Sequence, residues 1–435
     1  MKESLFAAAV VISLGMGLPA PHWMPPAAPF AAVCEAASHI DEYIRPIQLA
    51  VNNHRMIDAD GQGELLRSSE TMVVFTGSAA SEGVEELQKA LWAYNKETAE
   101  QGVKLRAKLV AQAKADRAER QAAGATTFPD YQDMNDVFIR RADTLAVSLL
   151  EWSFNYEGGV HGMSGVRGRN FDSKTGQELL LSDVCPDLPK LAEVIKAQLC
   201  REYPDASFVA NGAETVNLLM GAGNIAWTLD PTGVSFYFNP YLIGSYSEGI
   251  FSTTVLFDEH PELFVEQYCR APKAYCMELR PWTPVRTAFA DGSAGAVQVQ
   301  QTSATAEKLT VICGGARYVE PGFARDVKAT LVSLEDGRRY IYADILSDDR
   351  EYETYIYDLN GDEPTRVPME RTMTRHAAVR AAKPGKPGEN IFYILSDPED
   401  FLMNDLDTPK PLRPLRSYRV GEDGRPEITW TSGME

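Results

Sequence analysis

From Asp136 onward the chain is cut into short β-type runs by turn-forming residues, and no regular strand–helix–strand alternation connects them. Parallel sheets need crossover helices, so this punctuation predicts antiparallel sheets. Trp227–Leu229 and Val234–Phe238 flank Asp230-Pro231-Thr232-Gly233, a hairpin whose Pro and Gly supply the turn geometry. Phe171–Leu179 reads as a strand, a tight turn at Lys174–Gly176 and a strand restart. Further strands are expected at Thr253–Phe257, Leu309–Ile312, Val327–Val332, Arg339–Ile345 and Tyr352–Tyr357. Glu335-Asp336-Gly337 and Asn360-Gly361 read as hairpin turns. Tyr340 and Tyr342, then Tyr355 and Tyr357, alternate as one face of paired strands. Lys383–Gly388 reads as a loop before a restart at Ile391–Leu395. A β-sandwich and a partial propeller-like array both fit this last part.

One long helix precedes the β-rich part. After a strand at Met72–Phe75, broken by Gly77 and Ser78, Ser81–Gln121 reads as helical. Glu82, Glu85 and Glu86 suit the positive end of its dipole. Leu87, Leu91 and Tyr94, then Leu105 and Leu109, recur on one face. Lys104–Arg120 is rich in Lys, Arg and Ala and is expected to be a solvated face. Asp136–Tyr156 is expected to be β-rich, with Thr144–Leu150 as a two-sided strand. A second helix is expected over Lys190–Arg201, with Pro189 suited to its first position. The expected fold class is α+β: an antiparallel sheet with a long helix in the N-terminal module, followed by a mostly β C-terminal domain. The module divides into halves at 38–163 and 164–276, and the all-β domain covers 277–435.

Lys2 and the uncharged run Leu5–Leu18 have the length of a signal-peptide core, too short for a comfortable transmembrane helix. Residues 1–37 are expected to be a signal peptide, cut between Ala31 and Ala37; an uncleaved anchor is the alternative. A lipid-anchored Cys34 fits poorly, because Ala31-Ala32-Val33 lacks the leucine that such a signal wants. No later stretch is long and apolar enough to span a bilayer. The expected location is extracytoplasmic: secreted, periplasmic or at the cell surface.

Acidic residues number 61 against 42 basic ones, a formal charge of -19. That argues against a nucleic-acid binder, which wants a basic footprint, and favours cationic partners. Export makes disulfides possible, and Cys185–Cys200 and Cys269–Cys276 are plausible bridges; buried single thiols fit equally. Asp58-Ala59-Asp60-Gly61-Gln62-Gly63 resembles the opening of a calcium loop, but the twelfth position is Ser69 where Glu is needed, so an ordinary turn is preferred. Asp358–Glu363 gets the same reading, as a hairpin tip. The six histidines show no metal-binding spacing, and no nucleophile elbow, phosphate loop or dinucleotide fingerprint stands in its proper context. No cofactor and no metal are expected. His161, after Tyr156-Glu157-Gly158-Gly159-Val160, is read first as a group that hydrogen-bonds a turn and second as a general base. Trp227, Tyr237, Tyr241 and Tyr246 gather around the Trp227–Phe238 hairpin, as binding anchors or as a half-buried sheet edge.

Three segments in order carry a family resemblance: Phe154-Asn155-Tyr156-Glu157-Gly158-Gly159-Val160-His161-Gly162, then Asn170–Leu179, then Trp227–Leu229 through Asn239-Pro240-Tyr241 to Tyr246-Ser247-Glu248-Gly249. Together they resemble the extracytoplasmic module of RsiV-type anti-sigma factors, which also precedes the catalytic domain of the PdaC peptidoglycan deacetylase. The resemblance runs over Ile40–Phe257 and leaves the third region outside. It implies a bacterial envelope module that, in the anti-sigma factor, binds lysozyme without chemistry of its own. With a leader at Met1, no cytoplasmic anti-sigma segment is expected, and no deacetylase metal motif is present.

The leading expectation is an exported, non-enzymatic cell-envelope binding protein. Its partner would be lysozyme or another cationic envelope protein, or a wall polymer, met through Tyr156, Gly158, Gly159, His161, Tyr237, Asn239, Tyr241 and Tyr246. The alternative is a cell-wall hydrolase or deacetylase-like enzyme using His161 and a nearby carboxylate.

Overall fold

The structure is a computed structural model. It describes residues 44–431 except 48, 76–82, 211–215, 217–224, 272–273, 290–291, 302–306, 323–325, 335, 347–351, 369–372, 375–377, 381–392, 396–415 and 422–423. The expected leader with Cys34, the first residues of the long helix and the Lys383–Gly388 loop lie outside the described residues.

β1 (Leu49–Asp60) and β2 (Gly63–Phe75) form a long hairpin, far longer than the expected Met72–Phe75 strand. The calcium-like motif is its turn: Asp60 Oδ1 accepts from the Gln62 amide at 2.8 Å. α1 (Glu85–Ala122) leads to β3 (Tyr131–Ala142), which pairs with β2 in parallel over Leu66–Ser68. This corrects the expectation of a purely antiparallel sheet, since a helix crossing between two strands lets the second enter in the same direction. β4 (Ala146–Tyr156) and β5 (Met163–Asp172) complete a five-stranded sheet in the order β1-β2-β3-β4-β5. The expected Asp136–Tyr156 run is thus two strands, turned at Asp143, whose Oδ1 accepts from the Leu145 and Ala146 amides.

α1 buries Leu87, Leu91 and Tyr94 near one end and Leu109 and Ala113 further along. Asn95 fastens it to β2, accepting from the Val73 amide at 2.9 Å and donating to the Val73 carbonyl at 2.7 Å. Arg106 grips Asp58 through two bonds of 2.6 and 3.0 Å, and Arg117 donates to Asp60 at 2.9 Å. The Lys/Arg-rich stretch expected to be solvated is therefore partly a docking face. The inward stripe passes through Arg106 and Leu109, which leaves Leu105 exposed.

α2 (Leu181–Val184) and α3 (Leu188–Glu202) follow, the latter capped by Asp187 accepting from the Lys190 amide at 3.1 Å. β6 (Ala226–Asp230), β7 (Gly233–Phe238) and β8 (Phe251–Leu256) form an antiparallel sheet. Leu191, Ile195 and Leu199 of α3 share a core with Leu229, Phe236 and Val255. β6 lies directly on β5, where a Cβ on Gly168 would stand 1.7 Å from the Trp227 carbonyl oxygen. The Leu229 amide donates to Ser148 Oγ and Asn170 Oδ1, each at 3.0 Å, and Asn170 Nδ2 donates to the Trp227 carbonyl at 3.0 Å.

A short helix, α4 (Glu266–Cys269), leads toward β9 (Tyr275–Leu279). β10 (Val285–Ala288), β11 (Ala294–Gln300), β12 (Glu307–Cys313) and β13 (Ala316–Pro321) make one antiparallel sheet. β14 (Asp326–Ser333), β15 (Arg339–Leu346), β16 (Tyr352–Asp358) and β17 (Thr365–Arg366) join β9 in another. Val297, Val299, Leu309 and Val311 of the first meet Leu331, Ile341, Ile345 and Tyr357 of the second in one core. Of the two architectures that fitted the sequence, this is the sandwich. β18 (Met373–Thr374) pairs with β16, and β19 (Ala378–Arg380) with β20 (Tyr393–Leu395). β21 (Arg416–Val420) and β22 (Pro426–Thr431) form a last hairpin. The expected divisions at 163/164 and 276/277 fall inside β5 and β9, strands that pair along their length, and Ile44–Glu435 forms one compact unit. Neither plausible bridge is formed: Cys185, Cys200, Cys269, Cys276 and Cys313 all stand outside any disulfide, as the buried-thiol alternative has it. Burial pushes the Cys185 thiol up to about 11, so it stays protonated and unreactive. Among the described residues no helix is long and apolar enough to cross a membrane.

The three parts meet at a bulge in β3. Ile139 faces Leu149 and Arg141 faces Ser148, so Arg140 is the extra residue. The kink turns two consecutive arginines inward, both fully buried. Arg140 grips Asp230 at the end of β6 with bonds of 3.1 and 2.8 Å, and its Nη1 donates to the Glu278 carbonyl of β9 at 2.7 Å. Asp230 also accepts from Thr228 Oγ1 at 2.9 Å and Ser235 Oγ at 2.6 Å. Burial works against the Arg140 charge, but Asp230, Tyr237 and Glu278 more than offset it, and the guanidinium is held above its ordinary value. Arg141 donates to Asp143 Oδ2 at 2.7 Å and to the carbonyls of Tyr268 and Arg270.

Candidate functional site

Two loops meet beside the first sheet: residues 157–162 after β4, and residues 239–250 between β7 and β8. Glycine shapes the first loop. Gly158 has φ +75° and its carbonyl accepts from Arg120 Nη2 at 3.0 Å. Tyr156 Oη donates to the Gly159 carbonyl at 3.1 Å, and Val160 at the loop tip is fully exposed. A Cβ on Gly162 would crowd the Phe154 ring and lie 2.9 Å from the Asn155 carbonyl oxygen, so a larger residue forces the ring and the backbone to shift. The Gly162 carbonyl accepts from Tyr246 Oη at 2.6 Å and lies 3.0 Å from His161 Nδ1. A carbonyl only accepts, so this contact places the imidazole proton on Nδ1.

Three rings then line up. His161 stacks on Tyr246 with centroids 4.1 Å apart and planes at 25°, and Tyr241 stacks on Tyr246 at 6.0 Å and 28°. Tyr241 is 60 % exposed and sits at φ +71°, the left-handed region that bulky residues avoid. Its conformation is closed by its own amide donating to the Gly244 carbonyl at 3.0 Å. Among the described residues, only Tyr241 and Trp282 combine a side chain with positive φ, and both are exposed aromatics. Backbone strain of this kind clusters at active sites, ligand clamps and switch regions.

Glu248 holds the Tyr246 turn in place. Its carboxylate accepts from the amides of Ser207 and Ser245 at 2.9 and 2.8 Å and from both hydroxyls at 2.7 Å. The Ser207 and Ser245 amides, helped by the hydroxyls, hold the carboxyl down to about 2. For an acid with a lowered folded value, the stabilisation is complete above the ordinary carboxyl value of 4.5 and is lost as pH falls toward 2. The amide resonances of Ser207 and Ser245 are expected to titrate with a midpoint near 2. A midpoint at the ordinary carboxyl value of 4.5 would show that the staple does not form.

The structure thus gathers His161, Tyr241 and Tyr246, with Tyr156, Gly158 and Gly159 shaping the adjoining loop. It does not bring in Tyr237 or Asn239. Tyr237 is fully buried, its hydroxyl 3.1 Å from Thr228 Oγ1, because alternation along β7 points it at the first sheet. Asn239 clamps that sheet: its Oδ1 accepts from the Val166 amide at 2.7 Å and its Nδ2 donates to the Val166 carbonyl at 3.0 Å. Trp227 packs its main chain on Gly168. Glu248 and Phe154 both lay within the sequence motifs, but nothing in their spacing marked them as supports. Among the described residues no group of three His, Cys, Asp or Glu side chains is arranged to hold a metal, and no carboxylate hydrogen-bonds His161.

Residues 180–258 match the model of a protein family of unknown function, DUF3298. A DUF3298 domain therefore occupies this stretch, from the start of α2 to just beyond β8, and it contains Tyr241 and Tyr246 but not His161. The match is narrower than Ile40–Phe257, the stretch over which the sequence motifs run. The chain is similar to a DUF3298 family member from Bacteroides fragilis NCTC 9343, at 16 % identity and a TM-score of 0.40, over 51 % of this chain and 96 % of that one. It is also similar to a DUF3298 family protein from Pseudomonas aeruginosa PAO1, at 15 % identity and a TM-score of 0.32, over 53 % of this chain and 99 % of that one. No curated protein matches the sequence.

Proposed function

We propose that the chain is an exported, non-enzymatic binding protein of the bacterial envelope, and that the Tyr241–Tyr246–His161 stack is its recognition surface for a cationic protein such as lysozyme. The observation that carries this reading is Tyr241, strained at φ +71°, 60 % exposed and stacked on a ring that is itself hydrogen-bonded in place. A preordered aromatic loses little freedom on binding, which is why tyrosines recur at binding hot spots. Glu157 and Glu248 lie in the same two loops, and the net charge of -19 draws a basic partner. The likeness of the Phe154–Gly162, Asn170–Leu179 and Trp227–Gly249 segments to the RsiV-type module points to the same class of ligand. His161 faces a main-chain carbonyl rather than a carboxylate, an arrangement that orients a ring for contact and gives no relay for proton transfer.

Calorimetric titration of the chain from Ser38 onward with hen lysozyme, at low and at physiological salt, tests this. Binding is expected to survive physiological salt, and Tyr241→Ala or Tyr246→Ala to weaken it roughly tenfold or more, with melting temperature little changed for Tyr241→Ala. Binding that vanishes when the Debye length shortens to about 8 Å is charge attraction alone, and would end the proposal along with no binding at all.

A further inference from the structure

A second set of groups lies where β4 meets the turn after β9. Arg280 lies over the Trp152 ring, its guanidinium carbon 5.7 Å from the centroid. Among the described residues, of its five N–H donors only those on Nη1 are used, toward Thr283 Oγ1 at 2.8 Å and the Pro281 carbonyl at 3.3 Å, both neutral. Among the described residues no carboxylate pairs with it. Arg140 and Arg141, by contrast, each hold one. Burial pulls the Arg280 guanidinium down to about 10, with Tyr237 working the other way. A charge in that position is short of a counter-ion.

The ring beneath has the same deficiency. Trp152 Nε1 is buried and has no hydrogen-bond partner. A buried indole N–H normally finds an acceptor, and an orphan one asks what group is missing. Arg280, with its remaining donors unused among the described residues, thus lies over the ring that carries the orphan donor. Two residues along from Arg280, Trp282 is 52 % exposed at φ +69°. Its amide donates to the Val299 carbonyl at 2.8 Å and its carbonyl accepts from Gln298 Nε2 at 3.0 Å, so the strained residue is fastened on both sides. An exposed, backbone-anchored aromatic thus follows the unfilled donors by two residues in the chain.

We propose that Arg280 and Trp152 Nε1 form a site for a carboxylate, whose apolar body lies on Trp282. Such an anion completes the donors of both side chains, and a planar guanidinium suits a carboxylate better than a point charge does. The site stands apart from the Tyr241–Tyr246–His161 surface and does not depend on it. Its ligand would be an acid with an aromatic or aliphatic body.

The test uses the full chain with ¹⁵N-labelled indoles, the Trp152 signal being assigned from Trp152→Phe. N-acetylphenylalanine is titrated against N-acetylphenylalaninamide, which has the same body without the charge. The acid is expected to move the Trp152 indole N–H downfield in a saturable manner, with the amide at least tenfold weaker. Arg280→Gln is expected to abolish the response while the other indole signals keep their positions, and Arg280→Lys to weaken it several-fold. Trp282→Ala should weaken the acid several-fold as well. No shift with the acid, an equal response to the amide, or a response that persists in Arg280→Gln would each overturn the site.

Discussion

Asp230→Ala is expected to lower the stability of the fold by about 3–5 kcal/mol, the cost of leaving one member of a buried ion pair alone. Arg140 would keep its charge with no hydrogen-bonded anion, only the weaker influence of Glu278, and almost no solvent, since both side chains are fully buried. Thr228 and Ser235 would each lose a carboxylate acceptor at the same moment and keep only a hydroxyl partner. Desolvation of an uncompensated charge is the dominant cost here, well above the roughly 1 kcal/mol net of an ordinary hydrogen bond. A urea titration reads the effect as a fall in midpoint at constant slope. The combined variant Arg140→Met with Asp230→Leu should recover much of the loss, because replacing both partners by apolar groups removes the unpaired charge. A loss below about 1 kcal/mol for Asp230→Ala would mean that water reaches Arg140 and that the pair does not join the sheets as described.

Gly168→Ala is expected to have a comparable effect by a different route. The new Cβ would lie 1.7 Å from the Trp227 carbonyl oxygen and 2.6 Å from its carbon, far inside any tolerable contact. Both atoms belong to backbone, so no rotamer change relieves the clash, and β6 must lift off β5. The bonds from Asn170 to the Trp227 carbonyl and from the Leu229 amide to Ser148 and Asn170 would stretch with it. Overpacking costs about 1–3 kcal/mol where side chains can adjust; here the lost bonds add about 1 kcal/mol each. Gly165→Ala, three residues back on the same strand, has its nearest neighbour at 3.7 Å and serves as the control, with a change within about 1 kcal/mol. A crystal structure of the Gly168→Ala protein with β6 unmoved, or an unchanged denaturation midpoint, would refute the account.

Local signals in the sequence marked the helix, the hairpins and most of the later strands. Leu87, Leu91 and Tyr94 share a face because a helix repeats every 3.6 residues, and Asp230-Pro231-Thr232-Gly233 turns because Pro and Gly set its dihedrals. What stayed hidden depends on contacts distant in sequence. Nothing near Arg140 and Arg141 says that both point inward, since alternation along a strand would send one of them to solvent; the bulge reverses that. β1 was missed because Asn52, Asn53, His54 and Arg55 interrupt its apolar pattern, while its order comes from pairing with β2 along its whole length. The candidate site was half legible. The tyrosines and His161 could be picked out as aromatic and ionisable groups near glycines, but their convergence depends on the Gly162 carbonyl and on the Glu248 staple. Tyr237 and Asn239 were drawn in by sequence proximity alone. Side-chain alternation on β7 sends Tyr237 to the core, and the Asn239 amide is spent on Val166.

The bulge also has a consequence for inheritance. Residues 180–258, the part that matches a family model, carry Asp230 but not the arginine that neutralises it. A recombination event that moved only that segment into another protein would transplant a lone acid into an apolar interior. The segment could survive the move only with β3 in tow, or with a cation supplied by its new host. In this chain, therefore, the stretch that keeps the pair together is longer than the matched 180–258 and reaches back at least to the kink at Arg140.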